Sequence, residues 1–142
     1  MAQVIHKLVD KGKIASFMIT NSGTAVSGVT IIDASSLEGA ITGEDQRVRI
    51  THISCLNAGK NGDPNNYSIQ LHWDATPDQL ALTLPMGKTD SYPGLIVVDD
   101  PSLTDSTGDL LITTTAEVQY TLFITVEKYK GYFPSKKYNR GF

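Results

Sequence analysis

His72 and Asp74 stand two residues apart in Ile69-Gln-Leu-His-Trp-Asp74, so in an extended chain their imidazole and carboxylate leave the same side of the backbone. With His6 or His52 they have the donor types of a small metal site. The spacing is generic, and isolated His and Asp residues on a wet strand face are the commoner arrangement, so no metal is expected. Asp99, Asp100, Asp105 and Asp109 crowd the segment Asp99-Asp-Pro-Ser-Leu-Thr-Asp-Ser-Thr-Gly-Asp109, whose oxygens could wrap a calcium ion. It lacks EF-hand spacing, and the favoured reading is a solvated loop whose Asp, Ser and Thr side chains cap local turns.

Nucleophilic catalysis needs a Ser, Thr or Cys beside an oriented base, and no Gly-x-Ser-x-Gly or comparable motif surrounds any serine here. Gly39-Ala-Ile-Thr-Gly43 leads into no Lys-Ser/Thr pair and so makes no phosphate cradle. Cys55 lies in an alternating apolar run, where a free thiol behaves as a small buried hydrophobe, and one cysteine cannot form an internal disulfide. The chain is therefore read as a non-enzyme with no catalytic residue and no cofactor.

The most unusual chemistry follows the last strand-like run, in Lys128-Tyr-Lys-Gly-Tyr-Phe-Pro-Ser-Lys-Lys-Tyr-Asn-Arg-Gly-Phe142. Its Tyr129, Tyr132, Phe133, Tyr138 and Phe142 are half of all the Tyr and Phe in the protein. Residues 1–127 carry seven Lys/Arg against fifteen Asp/Glu, while residues 128–142 carry five cations and no acid. Gly131, Pro134 and Gly141 argue against a helix or a further strand, so 128–142 is expected to be an extended arm. Five aromatics left in water are costly, and docking them would bury that surface and pair the cations with acids. Tyr129, Tyr132, Phe133, Lys136, Lys137, Tyr138, Arg140 and Phe142 are therefore the candidate partner-binding residues, clasping a neighbouring subunit or another protein. The rival arrangement folds the arm back onto its own acidic body. Interleaved cations and aromatics also suit single-stranded nucleic acid, but the acidic body would repel a polyanion, so no nucleic acid is expected.

What must position these groups is a set of strands. Val118, Tyr120, Leu122, Ile124 and Val126 share one face of a period-two run while Gln119, Thr121, Thr125 and Glu127 share the other. Tyr67, Ile69, Leu71 and Trp73 alternate likewise, as do Leu80, Leu82 and Leu84, and these segments are expected to supply much of the core. Further β-rich runs fall at Gln3–Val9, Lys13–Thr20, Val29–Asp33, Arg47–Leu56, Leu95–Asp99 and Asp109–Ala116, giving about nine strands. A phase shift between Ile50 and Ile53 fits a bulge near His52 or a strand covered on both faces. A short turn fits Ala34–Leu37, and the loop Asn57–Asn66 is expected to be exposed. Many short strands without helical crossovers predict an all-β fold, an antiparallel β-sandwich of jelly-roll type over 1–127, with a closed barrel as the main rival.

At 142 residues with 40% hydrophobic and 19% charged residues, the chain has the size and composition of one globular domain. No apolar run approaches the roughly 18 residues that span a bilayer, and the opening residues lack a signal-peptide core, so no membrane is expected and the product starts in the cytosol.

On Val4-Ile-His-Lys-Leu-Val-Asp-Lys-Gly-Lys13, on Ile69-Gln-Leu-His-Trp-Asp-Ala-Thr-Pro-Asp-Gln-Leu-Ala-Leu-Thr-Leu84 and on Thr107-Gly-Asp-Leu-Leu-Ile-Thr-Thr114, the chain resembles small virion structural proteins of tailed bacteriophages, especially those infecting marine cyanobacteria. The resemblance spans most of residues 4–127. It implies a capsid decoration or cement protein on the virion surface, made in the host cytoplasm, a homo-oligomer such as a trimer that binds and stabilises the major capsid protein shell. A place in the neck, tail or fibre base is the alternative. The other class left open is a carbohydrate- or metal-binding β-sandwich using Trp73, His72, Asp74 or the Asp99–Asp109 loop. The long aromatic-basic end departs from relatives that stop soon after the last strand.

Overall fold

Alternating apolar residues build two antiparallel sheets packed face to face, in a computed structural model that describes residues 3–91, 98 and 99, 106–114 and 116–133. The strands are β1 Gln3–Lys11, β2 Ile14–Ser22, β3 Val29–Ile32, β4 Arg47–Lys60, β5 Ile69–Trp73, β6 Gln79–Leu84, β7 Gly87–Asp90, β8 Val98–Asp99, β9 Leu110–Thr114 and β10 Val118–Lys130. One sheet runs β1-β2-β10-β4-β7, with β8 also on β4; the other runs β3-β9-β5-β6. This is the expected antiparallel β-sandwich.

The long strand β10 organises the core. Val118, Tyr120, Leu122, Ile124 and Val126 all face inward and are buried, as their alternation requires. Opposite them lie Ile69, Leu71 and Trp73 of β5 with Leu110 and Ile112 of β9, all fully buried. In β4 the ladder pairs Thr125 with His52 but Val126 with Ile50. The extra residue, Thr51, is the bulge expected near His52, and it turns both Ile50 and Ile53 into the core. Cys55 sits in that core, where burial pushes its thiol up to about 11.

Three expectations are corrected by the packing. Leu80 is 56% exposed, because the β5–β6 ladder shifts register between Leu71 and His72 and swings Leu80 to the outer face opposite His72; only Leu84 of its series is fully buried. Asn57 lies inside β4 and is buried rather than looped out: its amide donates to the carbonyls of Tyr67 and Leu84 and its Oδ1 accepts from the Gly59 amide, which satisfies a side chain that turn propensity alone would place in water. Third, β10 continues three residues past 127, so the expected boundary between body and arm falls inside a strand. The predicted turn after Val29–Asp33 is a single 3₁₀ turn, Ala34–Ser36, capped by Asp33.

Candidate functional site

The strand continues through Lys128 because its side chain finds a partner in the core. Lys128 follows Val126 on the inward face, and its Nζ donates to Asp10 Oδ1 at 2.7 Å and to the Glu38 carbonyl at 2.9 Å. The two side chains are only 2% and 7% exposed. Burial raises the Asp10 pKa, but the Lys128 bond, the Glu38 amide and Lys7 outweigh it, and the carboxyl stays below its usual range. Tyr132 lies beside this pair with the Lys128 ammonium 5.6 Å above its ring, and its hydroxyl donates to the Ala34 carbonyl at 2.6 Å. Burial, with the charges of Asp10, Asp109 and Asp33 adding to it, raises the Tyr132 phenol.

The residues around Tyr132 are stitched to the same body. Gly131 accepts from the Ile41 amide, Ala40 and Tyr132 form an antiparallel bridge, and the Phe133 amide donates to the Gly39 carbonyl at 2.7 Å. Tyr129 points to the other side of β10, where the Arg49 guanidinium stacks 4.3 Å from its ring centre. Up to Phe133, then, the segment expected as an extended arm clasping a neighbour is instead folded back on its own chain, the rival arrangement, and among its described candidate contact residues Phe133 is the most open, at 61% exposed. Lys136, Lys137, Tyr138, Arg140 and Phe142 lie outside the described residues.

Of the other sequence candidates, Asp74 and Asp109 come together, the Asp74 amide donating to the Asp109 carbonyl at 3.0 Å. Asp74 accepts from the Thr107 hydroxyl, Asp33 caps Ser35, and Asp109 accepts from the Ala34 amide. Burial pushes Asp109 up to about 6 against that amide bond, with the nearby carboxylates of Asp33 and Asp74 adding to the rise. Among the described residues no three His, Cys, Asp or Glu side chains converge as metal ligands. Asp100 and Asp105 fall outside the described residues. Trp73 is 1% exposed and so offers no ring for a sugar to stack on.

A feature absent from the sequence candidates is the outer face of the larger sheet. Cross-strand pairing sets Met18 of β2, Phe123 of β10 and Ser54 of β4 in one row, and Thr20, Thr121 and Leu56 in the next. Phe123 is 41% and Leu56 58% exposed. They flank a shallow hollow of about 440 Å³ that Ser54, Thr121 and Lys88 also line. The sequence signal was Phe123 itself, an aromatic on a strand face otherwise made of Gln, Thr and Glu.

No family model matches the chain and no curated protein matches it. Among solved structures, the C-terminal family 22 carbohydrate-binding module of Clostridium thermocellum Xyn10B is 10% identical over 94% of this chain and 80% of that one, with a TM-score of 0.28. So loose a superposition carries no argument about function.

Proposed function

We propose that the chain is a structural protein of a tailed-phage virion, a decoration protein that docks on the major capsid protein shell. The observation that carries this reading is the open outer face of the larger sheet, where Leu56 and Phe123 stand in water while the residues that alternate with them are buried in the core. Two large apolar side chains near each other on an exposed strand face are candidate anchors for a partner surface. Phe133, 61% exposed, is a further apolar side chain in the open. The resemblance to phage virion proteins supplies the partner.

The mechanism is mass action. A protein that binds the assembled shell but not its dissociated subunits stabilises the shell by occupying its sites. Co-sedimentation with shells lacking the protein tests this. Wild-type protein is expected to pellet with them, and the variant Leu56→Ser/Phe123→Ser, folded by circular dichroism, to lose at least ten-fold in affinity. Binding to tail or neck assemblies instead of shells, or full binding by the variant, would overturn the proposal.

A further inference from the structure

The edge strand β1 is apolar without being covered. Val4, Ile5, Leu8 and Val9 are between 39% and 51% exposed, although Ile5 pairs across the ladder with the fully buried Ile19. β1 stands at the end of the larger sheet, and its outer edge has no partner strand among the described residues. Such an edge, with free N–H and C=O groups and apolar side chains on both faces, is a template for another strand.

We propose that the strand it takes is β1 of a second copy, antiparallel about a two-fold axis normal to the sheet. A two-fold interface must be self-complementary, and the polarity of β1 is. Gln3-Val4-Ile5-His6-Lys7-Leu8-Val9-Asp10 reads the same from either end, polar, two apolar, two polar, two apolar, polar. Reversed upon itself, it sets Val4 against the second copy's Val9, and Ile5 against its Leu8.

The axis imposes a further condition, that opposed residues point to the same face of the sheet. Val4 and Val9 are five apart, so a regular strand would send them to opposite faces. The β1–β2 ladder instead shifts register between Lys7 and Val9, pairing Val4 with Thr20 and Val9 with Ser16, both on the outer face. The bulge at Leu8 thus brings Val4 and Val9 onto one face, as the two-fold pairing needs, and by taking up one residue of the reversed string it sets His6 against the second copy's His6 rather than against the inward-facing Lys7. Lys7, near the middle, carries its own counter-ion, since its Nζ lies 3.2 Å from Asp10 Oδ2.

A single nine-residue edge buries less than the roughly 800 Å² per partner of a standard interface, so the dimer is weak and forms only as concentration rises. Sedimentation velocity over a concentration series is expected to show the mass rising toward twice the monomer's, and Val4→Lys/Val9→Lys to hold it at the monomer. Register is read by cross-linking, because directly opposed residues have Cα separations that admit a disulfide. Oxidised Val4→Cys protein mixed with Val9→Cys protein is expected to give a covalent dimer, and each variant alone to give several-fold less; Cys55 is buried and serves as the unmodified background. A wild-type monomer at several hundred micromolar, a dimer untouched by the lysines, or equal cross-linking by the single variants would each overturn the proposal.

Discussion

Replacing Lys128 by Met removes the ammonium that neutralises Asp10 and leaves a carboxylate with a 7% exposed side chain facing the core end of β10. Asp10 keeps the Glu38 amide at 2.9 Å and the half-exposed Lys7 at 3.2 Å, but loses its shortest bond. Breaking one side of a buried pair costs about 3–5 kcal/mol, most of it the desolvated charge left behind. For a domain of this size that lowers Tm by roughly 10 °C. Asp10→Asn/Lys128→Met removes both charges, while the side-chain oxygen of the introduced asparagine can still accept from the Glu38 amide, so the double variant is expected to recover all but about 1 kcal/mol.

The pH dependence fixes the cause. In the wild type the Asp10 pKa is lowered on folding, so its contribution is present above the unfolded value of 3.8 and lost as pH falls through the lower folded value. In Lys128→Met the leading influence on Asp10 is burial, which raises its pKa, so the deficit of the single variant shrinks as the medium is acidified towards pH 4 and below. Urea titrations of the wild type, the variant lacking Lys128 and the double variant at pH 7 and pH 4 measure this directly. A single variant within 1 kcal/mol of wild type at pH 7, or a double variant no better than the single, would refute the argument that this pair is buried and coupled.

Asp109→Asn is expected to act in the opposite direction. Its folded pKa of about 6 lies above the unfolded 3.8, so the ionised form costs stability above pH 6, and that cost disappears below pH 4. The introduced amide oxygen still accepts from Ala34, so the variant gains about 1–2 kcal/mol at pH 7 after allowance for solvent screening, and nothing at pH 4; a Tm series across that range checks it. Gly131→Ala would drive a Cβ into the Asp45 carbonyl oxygen at φ +83°, whereas Gly43→Ala, at φ +86°, meets nothing within 4 Å. The second substitution is expected to cost about 1 kcal/mol for the backbone alone and the first at least 2 kcal/mol more, read from urea midpoints.

Period-two alternation was enough to place the core where each strand keeps one phase, as β10 and β5 do, because burial of one face is a local property of an extended chain. It failed where the partner strand decides. Leu80 looks like Leu84 in sequence, yet a shift in the β5–β6 ladder sends one outward and the other inward. Lys128 reads as the start of an extended basic arm outside the body, and only Asp10, 118 residues away, makes it an interior residue. Asn57 reads as a turn former until the carbonyls of Tyr67 and Leu84 are seen to claim its amide. The candidate docking face was half legible: Phe123 breaks a polar face, but Leu56 joins it only through the register between β10 and β4.

The two proposed surfaces are geometrically related. Of the eleven large hydrophobic residues exposed among the described residues, Val4, Ile5, Leu8, Val9, Ile14, Leu56 and Phe123 belong to the larger sheet. Its sandwich partner has four strands to its six. An uneven sandwich must leave apolar edge strands in water unless something extends the sheet. Pairing through β1 does so, and a two-fold axis normal to the sheet keeps the outer faces of both copies pointing the same way. Phe123 and Leu56 of both copies would then address one flat target together, so that the second contact forms at high effective concentration. An axis lying in the sheet plane would instead turn one face away and leave each copy to bind alone. The bulge at Leu8, by setting Val4 and Val9 on one face, permits the two-fold register that the proposed shared docking face needs.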